Sequence, residues 1–300
     1  MNKRILPVAI ITGSTGHIGR AVIEKLTKQG ISCICLGSKK LSLSSFSIYS
    51  LPLHNVVKGQ RHQYISVDFT KPLNIDDLKE TKYSGIEFSM DNHSHKINMK
   101  ENNNLKLLGY KNWEGNSLCF KPIYKLQLLI NLVGISQNQL SIKMSSESIN
   151  KMININLLNP IIMTQLAARE MLKDAKYHIC DGDSYGDIIH HHPCIINVSS
   201  ILGEINIDDN INNTRFNGIS IYGSTKAGLI QYSKLLNSEL KTPPWPRVLN
   251  ISPGPVIDSA MIQNLPFENR QLLLNHSKDG SKATTTKEIA ELIWRKYTCL

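Results

Sequence analysis

Apolar residues recur along the chain in short continuous runs, each followed by a turn and then by a stretch with helical spacing. Pro7-Val8-Ala9-Ile10-Ile11 ends in Thr12-Gly13, the pattern of a strand buried on both faces. Over residues 18–29, Ile18, Ala21, Val22 and Leu26 share one helical face, and Gly30 stops the helix. Further buried strands are predicted at Ser32–Leu36, Tyr64–Asp68, Leu126–Asn131, Cys194–Ser199 and Arg247–Ser252. Helices fill the gaps near 145–156, 159–173 and 221–240. Alternation of this kind predicts an α/β, Rossmann-type doubly wound parallel sheet flanked by helices. Two polar stretches break the rhythm. Residues 70–124, rich in Asn, are expected to be a surface insertion or a partly disordered segment, and 204–217 a loop. The insertion lacks apolar periodicity, which argues against a second domain, so 1–300 reads as one folded unit.

Composition narrows the class further. Three hundred residues, 41 % of them hydrophobic, supply a core that needs no disulfide or metal staple. Six scattered cysteines fit a reducing compartment, with Cys33 and Cys35 read as small core residues on one strand face. No apolar run reaches the roughly 18 residues of a membrane span, and the first residues carry no signal-peptide cleavage pattern. Thirty-four basic against 24 acidic residues give +10, which favours anionic partners such as a phosphorylated cofactor or an acidic protein. No zinc-finger, basic-zipper or RNA-binding signature accompanies the charge, which argues against nucleic acid. The run His190-His191-His192-Pro193-Cys194, near His178, Cys180, Asp181 and Asp183, matches no closed tetrahedral spacing and reads as a polar loop without metal.

Candidate chemistry lies at the strand ends. Gly13, Ser14, Thr15, Gly16, His17, Ile18 and Gly19 join the first strand to the first helix. Such a turn lets the backbone approach a pyrophosphate while helix N–H groups attract its charge. The second strand ends in Gly37-Ser38-Lys39-Lys40. An acid there would hold a ribose hydroxyl; a hydroxyl and two ammonium groups suit a 2′-phosphate instead, so the expected cofactor is NADPH. Tyr222 and Lys226 lie four apart at the start of a predicted helix and share one face. A neighbouring ammonium is expected to lower the phenol pKa from about 10 and make Tyr222 a proton donor near neutral pH.

Taken together, the chain resembles the short-chain dehydrogenase/reductase family. The resemblance rests on Thr12–Gly19, Asp68, Asn131-Leu132-Val133-Gly134, Asn156, Ser199-Ser200, the Tyr222/Lys226 pair and Pro253-Gly254-Pro255-Val256, in order along the chain. It implies that Tyr222 protonates a substrate carbonyl, Ser200 hydrogen-bonds that oxygen, and Lys226 tunes the phenol and holds the nicotinamide ribose. It further implies that Asn156 anchors a proton-relay water and Asp68 meets the adenine. Asn131, Gly134, Pro253, Gly254, Val256 and Ser259 line the cofactor, Val256 through its backbone. Four features depart from the family pattern. His17 replaces the middle glycine, Leu132-Val133 replaces Asn-Ala, the Ser200–Tyr222 interval is long, and no seventh strand follows Trp294.

The long insertion, Met261-Ile262-Gln263-Asn264-Leu265-Pro266 and the early ending are similar to a fungal mitochondrial branch of the family. That branch reduces 3-oxoacyl groups on acyl carrier protein with NADPH, in mitochondrial fatty acid synthesis. The likeness implies an acidic carrier protein as partner, a mitochondrial location (otherwise a cytoplasmic one), a lid at 259–280 bearing Met261, Ile262, Leu265 and Phe267, and a homo-oligomer, dimer rather than tetramer. A small ketone, quinone or sterol remains open as substrate, as does a cofactor-binding sensor without turnover.

Overall fold

Strand β1 (Lys3–Thr12) takes the centre of the sheet because its residues are apolar on both faces. Ala9 and Ile11 enter one hydrophobic cluster, while Val8 and Ile10 enter the other. The two-residue period of a strand splits them between the faces. The computed structural model describes residues 3–40, 51–90, 97–113, 121–179, 192–204, 218–242, 245–263 and 284–299. From β1 the chain enters α1 (His17–Lys28) and returns as β2 (Ser32–Gly37), then β3 (His62–Ser66). Gly30, at φ +82°, makes the left-handed exit from α1 that a Cβ disfavours. After α2 (Ile75–Glu80) come β4 (Tyr83–Met90), β5 (Ile97–Leu105) and β6 (Lys121–Asn131). Helix α3 (Ser146–Ile153) continues through a π-helical turn (Asn154–Leu158) into α4 (Asn159–Ile179). The last elements are β7 (Cys194–Val198), α5 (Ser220–Glu239), β8 (Arg247–Ile251), the short α6 (Ala260–Gln263) and α7 (Thr286–Thr298).

The sheet runs β5-β4-β3-β2-β1-β6-β7-β8. All pairs from β3 to β8 are parallel, as the sequence predicts, but β4 and β5 extend the β3 edge antiparallel. Where 70–124 is expected to be a surface insertion or a partly disordered segment, its described residues join the sheet. The segment builds α2 and two strands, with Ile86 and Phe88 of β4 buried in the first cluster and the neighbouring β5 mostly exposed. Helices α1 and α7 cover one face and are joined by a 2.6 Å ion pair between Lys25 and Glu291. Helix α4 covers the other through Met163, Leu166 and Met171. Cys33 and Cys35 are fully buried in the first cluster, as expected.

The chain crosses from β1 leftward to β2, whereas β6 lies on its right. This switch of direction opens a crevice at the carboxyl ends of the strands, where open α/β sheets bind ligands. The lid beyond Gln263, the 205–217 loop and the His178–His191 cluster lie outside the described side chains. Among the described residues, no helix is long and apolar enough to cross a membrane.

Candidate functional site

The glycine-rich turn sits in the crevice because β1 ends where β6 also ends. Gly13 adopts φ +68°, and a Cβ there would stand 2.9 Å from the Val133 nitrogen, so the turn packs directly on the exit of β6. Thr12 ties the same two strands: its hydroxyl accepts from the Leu132 and Val133 nitrogens at 3.1 and 3.3 Å. A Cβ on Gly19 would come 2.3 Å from the Gly13 carbonyl, which brings α1 close under the turn. Ser14 turns inward and donates to the Leu36 carbonyl at 2.9 Å. Gly16 is the N-cap of α1, and the first turn of that helix carries no acid. Its leading N–H groups therefore face the crevice with a positive dipole end, which suits a pyrophosphate. His17 reaches across the mouth, its Nδ1–H donating to the Asp258 carbonyl at 2.7 Å. Asp258 in turn accepts from the Thr286 nitrogen and hydroxyl, at 2.8 and 2.7 Å.

Ser38, Lys39 and Lys40 follow β2 and are exposed. The Tyr64 hydroxyl donates to the Lys39 carbonyl at 2.6 Å and fixes where this basic stretch leaves the sheet. Asp68 stands exposed beyond β3, where bonds from the Thr70 hydroxyl and nitrogen hold its carboxyl below the usual carboxylate range. No acid stands among Gly37, Ser38, Lys39 and Lys40 at the end of β2, and both lysines are exposed. These features fit a phosphorylated dinucleotide.

The chemistry-bearing side chains converge between β6, β7 and α5. Ser200, just after β7, lies beside the Tyr222 phenol, close enough to oppose the rise in its pKa, despite the long interval between them. Lys226, one turn along α5, donates to the Val198 carbonyl at 3.2 Å, and its Nζ stands 5.8 Å from the Tyr222 ring centroid. All three are buried, with Tyr222 at 7 % and Lys226 at 4 % exposure. Gly134 closes this wall: a Cβ there would come 3.4 Å from Lys226 Nζ and 3.5 Å from Asn156 Oδ1.

Burial corrects the expected tuning. Desolvation raises the Tyr222 pKa above its ordinary value, opposed by the Ser200 side chain, and it pushes the Lys226 ammonium down to about 8. Tyr222 is therefore neutral at physiological pH and carries a proton to give. Asn156 sits in the π-helical turn, a distortion that re-aims a side chain. Its Oδ1 accepts from the Ile135 nitrogen at 2.9 Å, and its Nδ2 donates to the Ile135 carbonyl at 2.9 Å and to the Thr225 hydroxyl at 3.3 Å.

Asn131 is a second correction. Its side chain does not line the crevice but is buried in the core, where Nδ2 donates to Asn197 Oδ1 at 2.8 Å and to the Pro160 carbonyl and Thr164 hydroxyl, each at 3.2 Å. Asn197 passes the network on to the Ser233 hydroxyl at 2.9 Å. Sequence reasoning missed Asn197, although a polar residue within the apolar run of β7 was the available signal.

Beyond β8, the Pro253 carbonyl accepts from the Ile201 nitrogen at 3.1 Å, which places Pro253 and Gly254 beside the Ser200 loop. The Val256 carbonyl accepts from the Ser259 nitrogen and hydroxyl, at 3.0 and 2.7 Å. The His17–Asp258 contact then joins this loop to the glycine turn, so both walls of the crevice are tied at its rim.

Residues 118–269 match the family model described as short chain dehydrogenase. That span runs from the start of β6 past β8 and contains Asn156, Ser200, Tyr222 and Lys226. Among curated relatives, a 3-oxoacyl-[acyl-carrier-protein] reductase FabG of Aquifex aeolicus is 25 % identical over 268 residues, covering 88 % of this chain and 79 % of that protein. The FabG of Rickettsia bellii is 26 % identical over 273 residues, 91 % and 82 % of the two chains. Among solved structures, 4-hydroxyisoleucine dehydrogenase complexed with NADH superposes with a TM-score of 0.62 at 17 % identity, covering 96 % of this chain and 90 % of that one. The ligand-free aldohexose dehydrogenase of Thermoplasma acidophilum gives 0.59 at 17 % identity, covering 98 % and 87 %. With the family model spanning half the chain, this protein is an oxidoreductase that belongs to the short chain dehydrogenase family.

Proposed function

We propose that the chain is an NADPH-dependent reductase that converts 3-oxoacyl groups on acyl carrier protein to 3-hydroxyacyl groups. The observation that carries this reading is the neutral, buried Tyr222 phenol beside Ser200 and one helical turn from Lys226. When bound, NADPH supplies the hydride that reaches the C3 carbonyl carbon. Tyr222 gives its phenolic proton to the carbonyl oxygen, and Ser200 donates a hydrogen bond to that oxygen as negative charge develops there. Lys226, buried against the Val198 carbonyl, supplies positive charge beside the phenol as its proton leaves. Asn156 clamps both polar groups of Ile135 and so holds the floor on which a proton-relay water rests. The leading N–H groups of α1 take the diphosphate, Lys39 and Lys40 the 2′-phosphate, and Asp68 the adenine.

The FabG relatives support the carrier-bound substrate, and the +10 charge favours an acidic carrier protein. In keeping with the branch the sequence resembles, the single domain works in the mitochondrion as a dimer. Steady-state assays test this reading. The specificity constant for a 3-oxoacyl carrier-protein thioester should exceed that for small free ketones by about 100-fold, about 2.7 kcal/mol. NADPH should be preferred over NADH by about 10-fold, the worth of one charge-assisted contact. A preference for a free ketone, or for NADH, would overturn it.

A further inference from the structure

Helix α5 begins without a cap of its own, since its N-cap residue is Ile219. The first turn of any helix leaves N–H groups without an intrahelical partner, and a capping side chain accepts from the second or third of them. Here those positions are Ile221 and Tyr222. Both donate to the Oε1 of Gln137, at 2.9 and 3.1 Å, from across the chain. Gln137 is itself buried, and its Nε2 donates to the Gln139 carbonyl at 2.8 Å, so each end of the amide has a fixed partner. Gly218, at φ +74°, enters the helix pressed against that same carbonyl, with its missing Cβ 3.3 Å away. One short loop after β6 therefore holds the start of α5.

We infer that Gln137 is a positioning residue that fixes the first turn of α5 and, through it, the Tyr222 phenol against Ser200. The inference rests on the proposed role of Tyr222 as proton donor. Tyr222 is the third residue of the helix and Lys226 lies a full turn deeper. Loss of the cap frays the first turn and moves the phenol, while Lys226 and the glycine turn stay in place. A misplacement of about 1 Å at a reacting group costs up to about 100-fold in rate. Turnover should therefore fall without a matching loss of cofactor affinity.

The test compares full-length Gln137→Met, which is close in volume but has no oxygen acceptor, with Gln137→Glu, whose carboxylate accepts both N–H bonds. Tyr222→Phe is run beside them. In Gln137→Met, kcat should fall about 10- to 100-fold while KM for NADPH changes by less than about two-fold, as expected when ground-state binding is untouched. Exchange of the Ile221 and Tyr222 amide hydrogens should quicken about 10-fold or more as the turn opens. Gln137→Glu should recover part of the lost kcat, because the cap bonds return while a carboxylate oxygen facing the Gln139 carbonyl offsets some of the gain. Should Gln137→Met not fold, Gln137→Asn, one methylene too short to reach both donors, is judged by the same criteria. Unchanged kcat in the acceptor-free variant, or a Gln137→Glu protein no better than it, overturns the inference. Full turnover in Tyr222→Phe would instead sink the proton-donor reading itself, whereas an inactive Tyr222→Phe beside an unimpaired Gln137→Met sinks only the role of Gln137.

Discussion

Lys226 should make the cofactor-free protein less stable than it need be. Its ammonium is 4 % exposed, and burial pushes its pKa down from 10.5 to about 8. At about 1.4 kcal/mol for each tenfold change in the proton equilibrium, holding the charge in the fold costs about 3 kcal/mol. An amine that releases its proton more readily when folded leaves the unfolded chain binding more protons between pH 8 and 10.5. Stability therefore rises with pH across that window, and the penalty stands in full below it. Lys226→Met removes the charge, keeps the bulk of the stem and gives up the bond to the Val198 carbonyl, worth about 1 kcal/mol. The net gain at pH 7 is about 2 kcal/mol, or about 3 °C in Tm for a chain of this size. Circular dichroism melts of both proteins at pH 7, 8.5 and 10 measure it. The variant should melt higher at pH 7, lose that advantage as pH climbs, and turn over no substrate, the trade between activity and stability expected of a strained site. A lower Tm at pH 7, or a gap indifferent to pH, would refute the reasoning.

The other predictions address the cofactor and the core. Replacing Lys39 and Lys40 by Ala should raise KM for NADPH about five-fold or more and leave NADH kinetics alone, since only a 2′-phosphate meets those ammonium groups; equal effects on both cofactors in steady-state assays would refute it. Asn197→Leu breaks the buried bonds to Asn131 and Ser233. It should destabilise the fold by about 2–3 kcal/mol in urea titration, because polar groups are left unpaired in the core.

Much of this architecture was legible because its signals are local. The apolar runs of β1, β2, β7 and β8 and the Gly13–Gly19 turn need only neighbouring residues to be read. The Tyr222/Lys226 pair needs only the helical period. Strands β4 and β5 escaped because Ile97–Leu105 lies at the sheet edge with most of its residues exposed, so Asn and Lys replace the apolar alternation that announces a strand. The cap on α5 escaped for another reason: Gln137 and Tyr222 meet only after a full crossover of the sheet, and nothing near either residue announces the contact. The Tyr222 pKa was misjudged because spacing reveals the ammonium but not the burial, and burial proved the larger effect.

Single-turnover reduction by Tyr222→Phe, with NADPH binding followed separately by fluorescence, tests the central assignment most directly. The expected result is a hydride-transfer rate reduced by about 1,000-fold or more, within the range that general-acid catalysis supplies, at an unchanged dissociation constant for NADPH. A variant that binds NADPH normally and still reduces its substrate at the parent rate would contradict it.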